Sequence, residues 1–365
     1  MSRIVRRTLV IVVAALALAV LTPALAAAAI SPTLTATPSS HAAGLSVSLS
    51  TDIKFAPSSG DSPKDLTLSL PPGLLSNAAI DGGACLKATA PVPACQVGRG
   101  SATATASLIV PVTMQVSLTF YLVAPPKPND LAGLYIEAGL PVNGPLGSPG
   151  EVSIRPADAG VDVAFTNIPN TATITGLTVK TSVSELKTTL TGVRMPTSCP
   201  SAPATIRVAA DSYASASPKS ASAHLSVTGC NGLPFTPTFS LTAVRDSADN
   251  GVAVTTDIKQ PAAPAQATDS SAVLTLPTTV FAPNVNAVLT GGILCPSLSP
   301  ACKPVGSATT VSPLYPKALT GTAYLIGSLS NLNSISIVLV FPSPFPLTLT
   351  GAVNISQGTT TFTGL

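Results

Sequence analysis

Through most of the chain, apolar residues alternate with hydroxyl-bearing ones. Leu45, Val47 and Leu49 are separated by Ser46 and Ser48, and Leu66, Leu68 and Leu70 by Thr67 and Ser69. Ala102, Ala104 and Ala106 are separated by Thr103 and Thr105. A period of two places successive side chains on opposite faces of a strand, so these runs predict antiparallel strands with one apolar and one Ser/Thr face. Residues 112–123 and 133–138 read as further strands. The 36 Pro and 26 Gly fall between the runs, as short strands joined by turns require. Asn143-Gly144 and Asn250-Gly251 read as turn corners. Beyond the first 29 residues no apolar 3.6 period survives more than one turn. The expected fold is all-β: tandem antiparallel β-sandwich domains, Ig-like or jelly-roll-like, after an N-terminal signal peptide.

The pattern occurs twice. Thr51-Asp52-Ile53-Lys54 returns as Thr256-Asp257-Ile258-Lys259, and Leu68-Ser69-Leu70-Pro71 as Leu274-Thr275-Leu276-Pro277. Gly100-Ser101-Ala102-Thr103 returns as Gly306-Ser307-Ala308-Thr309, and Tyr121-Leu122-Val123 as Tyr324-Leu325-Ile326. A period of about 200 residues means tandem domains, not a short-period solenoid. The expected division is a signal peptide over 1–29, a first β-sandwich module over 31–169, a small β-rich tail domain over 170–231 and a second module over 232–365. The second copy reaches Leu365 where the first has Ile168. Either the chain is a fragment or the tail is a separate small domain, and we expect the separate domain.

Residues 1–29 combine Arg3, Arg6 and Arg7, an apolar run over 8–21, Pro23 and the small-residue stretch Ala24-Leu25-Ala26. That is the layout of a cleavable secretory signal; an uncleaved membrane anchor is the alternative. Lys and Arg number 18 against 15 Asp and Glu, and the three leader arginines account for the whole excess. The neutral remainder gives no electrostatic footprint for nucleic acid, and after signal cleavage no membrane partner is expected.

Export makes disulfides the first reading of the six cysteines. Cys85/Cys95 and Cys295/Cys302 occupy the same place in the two copies, so local pairs are the simplest solution, leaving Cys199 with Cys230. Their spacing provides no CxxC pairs or accompanying histidines for a metal.

The run DLTLSLPPGLLSN from Asp65, the cysteine pair, Gln96-Val97-Gly98 and FYLVAPP from Phe120 resemble the repeat unit of large secreted actinobacterial β-rich proteins of unknown function. Met195-Pro196 with Cys199 and the distant Cys230 adds to the likeness. The resemblance implies an exported, multi-domain β-protein and no mechanism. The second copy departs from it at Pro277-Thr278-Thr279, where the first has Pro71-Pro72-Gly73.

Candidate chemistry is sparse. The chain has two histidines, His41 and His224, read as surface or edge residues, and three glutamates, Glu137, Glu151 and Glu185. Glu137 and Glu151 could serve as a carboxylate pair, but their counterparts near Val338 and Ala352 carry no acid. Nucleophile motifs are absent. The run from Asp246 to Gly251 faintly resembles a calcium loop without its bidentate glutamate and is read as a turn. Asp52 and Asp257 are expected at strand edges, capping turns and pairing with Lys54 and Lys259. With no Trp and five Tyr, a sugar platform is thinly supplied. Tyr121 and Tyr324 are expected in the core, and Tyr135, Tyr213 and Tyr315 are candidates for exposure. The reading is a secreted or cell-surface, non-enzymatic β-repeat protein, structural or adhesive, with no cofactor. Its expected partners are cell-envelope polymers or other extracellular proteins. The alternatives are an extracellular carbohydrate- or ligand-binding module and, behind it, a carboxylate-dependent hydrolase.

Overall fold

The computed structural model describes residues 30–56, 61–174, 176–245, 251–261, 263–277, 293–328, 330–342 and 347–363. The expected signal segment over 1–29 and most of the calcium-like run, residues 246–250, lie outside the described residues.

Fourteen strands form the first sheet. They are β1 (Pro32–Pro38), β2 (Ser46–Phe55), β3 (Pro63–Leu70), β4 (Leu75–Ser76), β5 (Gln96–Ser107), β6 (Val112–Val123) and β7 (Ala132–Ala138). There follow β8 (Gly144–Pro145), β9 (Gly150–Ile154), β10 (Val161–Phe165), β11 (Thr171–Ile174), β12 (Leu177–Arg194), β13 (Ala204–Ser212) and β14 (Lys219–Leu225). The main path runs β1-β2-β12-β5-β6-β7-β9-β10-β3-β13-β14. β1 packs beside β14, and Ala42 bridges Thr228, so the sheet curls until its ends meet.

The alternation seen in the sequence becomes the burial pattern. Every second residue of β2 from Val47 to Phe55 is buried, and the Ser residues between them face outward or lie half-exposed. Leu49, Ile53, Phe120, Leu134, Val163 and Ile206 belong to one core inside the curled sheet. Burial of such side chains, about 1.5–3 kcal/mol each, is the main drive for closing the sheet.

The separate tail domain expected at 170–231 does not form. β12 lies between β2 and β5, and β13 pairs with β3, so this segment completes the first sheet. The reason is the ladder itself: without β12 and β13, the facing edges of β2, β5 and β3 would leave rows of backbone groups unpaired beside an apolar interior.

The C-terminal part holds β15 (Thr238–Arg245) and β16 (Val252–Lys259), a two-stranded sheet. A seven-stranded sheet contains β17 (Ser271–Thr275), β18 (Leu294–Cys295), β19 (Gly306–Ser312), β20 (Tyr315–Ser328), β21 (Asn331–Phe341), β22 (Leu347–Asn354) and β23 (Thr359–Thr363). The neighbours β19-β20-β21-β22-β23-β17 follow the same order as β5-β6-β7-β9-β10-β3.

Register agrees as well as order. Thr33 faces Lys54, and Thr238 faces Lys259. Tyr121 faces Tyr135, and Tyr324 faces Val338. Leu68 faces Val163, and Leu274 faces Thr360. Gly150 lies against the Phe165 ring and Gly351 against the Phe362 ring, so close that a Cβ on either glycine would overlap the ring. One difference stands out. Among the described residues, the C-terminal part has no counterpart of β12, β13 or β14, and β16 and β19 have no strand on their outer edges.

Candidate functional site

The residues with acid–base capacity are scattered. His41 sits at the seam of the sheet, exposed, with Nδ1 2.9 Å from the Ser226 carbonyl oxygen. His224 is exposed on β14, opposite Thr205. Glu151 lies opposite Gly133, four residues along β7 from Glu137. That separates the two carboxylates' backbone positions by about 13 Å along the strand, more than the roughly 5–9.5 Å that glycosidase pairs use. Glu151 is also engaged by the Lys127 ammonium at 2.6 Å. Glu185, on β12, accepts a hydrogen bond from the Thr103 hydroxyl, and the neighbouring Lys187 ammonium holds its carboxyl below the usual range.

Cys85 and Cys95, Cys199 and Cys230, and Cys295 and Cys302 stand at bonding distance, with Cα atoms 5.6, 5.8 and 5.9 Å apart. These are the pairs expected from the repeat. Asp81 lies close to Cys85 and Cys95. Their sulfurs are bonded to each other, which removes the thiolates a zinc site would need.

Asp52 and Asp257 do lie beside their lysines, 3.9 Å from Lys54 and 2.7 Å from Lys259. Asp52 corrects the expected edge position, because β12 covers that side of β2. One of its oxygens is buried with no hydrogen-bond partner. Asp257, on β16, keeps the open edge.

The tyrosines also depart from expectation. Tyr121 alternates with buried Phe120 and Leu122, so it faces outward, half-buried, opposite Tyr135. Partial burial and then the Glu137 carboxylate push its hydroxyl above the usual value. Tyr324 is likewise half-buried, beside buried Ala323. Of the three candidates for exposure, Tyr135 is half-buried, and Tyr213 is exposed, its hydroxyl donating to the Ile168 carbonyl at 2.8 Å. Tyr315 is half-buried, packed against the first module's core.

Two features escape the sequence pattern. The first is an apolar cavity of about 110 Å³ inside the first module, between inner-face residues such as Ile53, Leu68, Phe120 and Leu134 and the 146–148 and 166–168 loops. The second is the junction between the two parts. The Leu314 carbonyl accepts from Ala78 N at 2.9 Å, and Pro316 sits on Gly83 of the disulfide loop. Arg194 donates to the carbonyls of Gly44 and Ala263 at 3.2 and 2.8 Å. The Ala265 amide also reaches the Gly44 carbonyl, at 3.0 Å, and Thr197 meets Thr268 at 2.7 Å. A cavity's size depends on how far apart sheet faces settle, and a junction depends on loops, so neither follows from strand periodicity. No family model, no curated protein and no solved structure matches the chain.

Proposed function

We propose that the chain is a secreted or cell-surface β-repeat protein with a structural or adhesive role, built from tandem sandwich-like modules. The observation that carries this reading is the shared strand order and register of the two parts, joined through hydrogen bonds from Arg194, Ala78 and Ala265. Repetition of a disulfide-clipped β-unit gives length and many similar surfaces, which suits spacing and attachment at an envelope. The scattered carboxylates and seam-bound His41 support a non-enzymatic role more than a reactive one. The test is co-sedimentation of the purified chain with insoluble cell-envelope material. Retention in the pellet without release of soluble fragments is expected. Release of fragments that Glu137→Gln or Glu151→Gln abolishes would overturn the reading in favour of a hydrolase.

A second reading, ligand binding, is favoured by the cavity of about 110 Å³. Its apolar walls suit a small apolar molecule rather than a sugar, since engineered apolar cavities of roughly 150 Å³ stay dry and admit benzene or xenon. Xenon or benzene binding that Leu68→Phe eliminates would support it.

A further inference from the structure

Two turns stand side by side at one end of the first module. The β5–β6 pair nearest its turn is Ala106–Val112, which leaves a five-residue turn over 107–111. β11 and β12 close at Ile174–Leu177. Ser107 pairs with Lys180 across the β5–β12 ladder, so both turns project past the same end of it. Their side chains are apolar and bare. Ile109 is fully exposed, Val110 is 70% and Leu177 60% exposed, and Leu108 and Val112 are exposed beside them. Folded chains rarely gather large aliphatic side chains on one exposed patch unless it meets a protein or a membrane. Residues 105–114 and 171–182 contain no acid and one cation, the exposed Lys180.

We infer that these two turns form a lipid-contacting tip, which settles the first module on a bilayer with Ile109, Val110 and Leu177 in the interfacial layer and Lys180 among the headgroups. The unpaired backbone groups of the turns keep the contact shallow, since the hydrocarbon interior offers them no partners.

Three observations favour lipid over a protein partner. The first is shape and composition. Protein interfaces are enriched in aromatic side chains, Met and Arg, whereas the exposed positions here are Leu, Ile and Val. Two protruding turns also need no matching hollow in a fluid bilayer. The second is charge: anionic headgroups attract a lysine at the surface, and no carboxylate stands beside Lys180 on these turns to oppose them. The third is where the chain enters. β12 starts at the tip with Leu177, and its Glu185 pairs with Lys54, next to Phe55, which pairs with Pro32. β1 therefore begins on the tip side of the sheet. It follows the expected signal segment, with its apolar run over 8–21, so the segment that meets the membrane during export joins the module at the end that carries the tip.

The repeat shows that the apolar apex is not needed to close the hairpin. The counterpart β19–β20 closes at Ser312–Tyr315 with two residues between, and its Leu314 carbonyl rests on the first module, accepting from Ala78 N. The β5–β6 turn is three residues longer and meets no such surface among the described residues. Lipid contact at this end revises the sequence expectation that no membrane partner remains after signal cleavage. It rests on the adhesive reading, of which it names the partner.

The chain has no Trp, so Ile109→Trp places a single reporter at the apex. The experiment adds vesicles of equal parts phosphatidylglycerol and phosphatidylcholine to that variant of the whole chain. Trp emission should move to shorter wavelength and be quenched by bromine-labelled acyl chains, because Trp settles at the membrane interface. In sedimentation with the same vesicles, Ile109→Asp combined with Val110→Asp should weaken binding about tenfold or more. Both positions are exposed, so the thermal midpoint should not move. Lys180→Glu should weaken binding to these vesicles several-fold and leave binding to pure phosphatidylcholine unchanged. Unchanged Trp emission at saturating lipid overturns the proposal, as does vesicle binding indifferent to the paired Asp substitutions, which would place the contact in the leader or elsewhere. A shift that grows with protein concentration in the absence of lipid also overturns it, by assigning the tip to a second copy of the chain. Vesicle binding and envelope retention are separate measurements: loss of the first alone sinks the lipid tip and leaves the adhesive reading standing.

Discussion

Ile53 stands directly opposite Leu186 across the β2–β12 ladder, and Ala102 faces Leu186 from the other side. One strand therefore covers the edges of two others, and Ile53 beside it is buried in the core. Ile258 occupies the same place in the repeated tetrapeptide and lacks the cover. Ile53→Ala should cost about 2–5 kcal/mol, the range for removing a fully buried aliphatic side chain. Ile258→Ala should cost less than about 1 kcal/mol, as exposed positions do. Two modules need not unfold together, so the measurement is urea unfolding followed by hydrogen exchange in each module. Equal costs would show that β16 is buried in solution.

Gly100 and Gly306 make a second matched pair. Gly100→Val forces a side chain into the Lys187 carbonyl of β12. It should lower first-module stability by about 1–3 kcal/mol or more. Among the described residues, a Cβ at Gly306 meets nothing closer than 3.8 Å, and Gly306 lies in extended backbone that a β-branched residue favours. Its effect on the free chain should stay within about 0.5 kcal/mol. Thermal unfolding of both variants checks this, and a large loss at Gly306 would mean that its open edge is covered.

Period-two alternation made the strands and their faces legible, because a Ser/Thr face and an apolar face can be assigned before any partner is known. The constant offsets between the copies made equivalent strands legible for the same reason. Pairing was not legible. β12 carries irregularities between Val183 and Glu185 on its β5 side and between Leu190 and Val193 on its β2 side. Each shifts the phase of the alternation, so the strand read as a tail and not as the centre of a sheet. Tyr121 was misplaced for a related reason. It lies in the apolar run Phe120-Tyr121-Leu122-Val123, where composition suggests core throughout, but on a strand its neighbours Phe120 and Leu122 take the inner face. The candidate chemistry was legible mainly as scarcity. The open edges were invisible, because they are defined by a strand that the second copy does not show.

The disulfides should contribute unequally. Cys199 and Cys230 are 31 residues apart, Cys85 and Cys95 only 10. Closing the longer loop removes more unfolded-chain entropy, about 3.7 against about 2.7 kcal/mol on the loop-entropy estimate. The longer bridge also ties the end of β12 to the segment beside Thr228, where the sheet closes onto Ala42 and His41. Replacing Cys199 and Cys230 together by Ser should therefore lower the denaturation midpoint more than replacing the Cys85–Cys95 pair by Ala, with faster exchange at Ala43 and Thr228. A larger loss from the shorter bridge would place the decisive constraint in the 80–95 loop.

Acid should weaken one specific corner. The Arg155 guanidinium donates to both carboxylate oxygens of Asp158, each at 3.0 Å, and its Nη2 also reaches the Leu70 carbonyl at 2.8 Å. The β9–β10 turn is thereby tied to the end of β3. Arg155 holds the Asp158 carboxyl below its usual range, helped by the Gly160 amide and opposed by partial burial. Because the folded value is the lower one, the ionised carboxylate stabilises the fold. The contribution is complete above the ordinary value of 3.8 and fades as pH falls through the depressed folded value. Asp158 is 45% exposed, so solvent screening limits the effect to about 0.5–1 kcal/mol. Asp158→Asn should cost that amount at pH 7 and pH 5, and the gap to the unsubstituted chain should close as pH falls below 3.8 toward about 2. Paired urea unfolding curves across that range measure the gap directly. A gap that stays constant into acid would show that Asp158 acts through contacts independent of its charge, such as the one it accepts from the Gly160 amide.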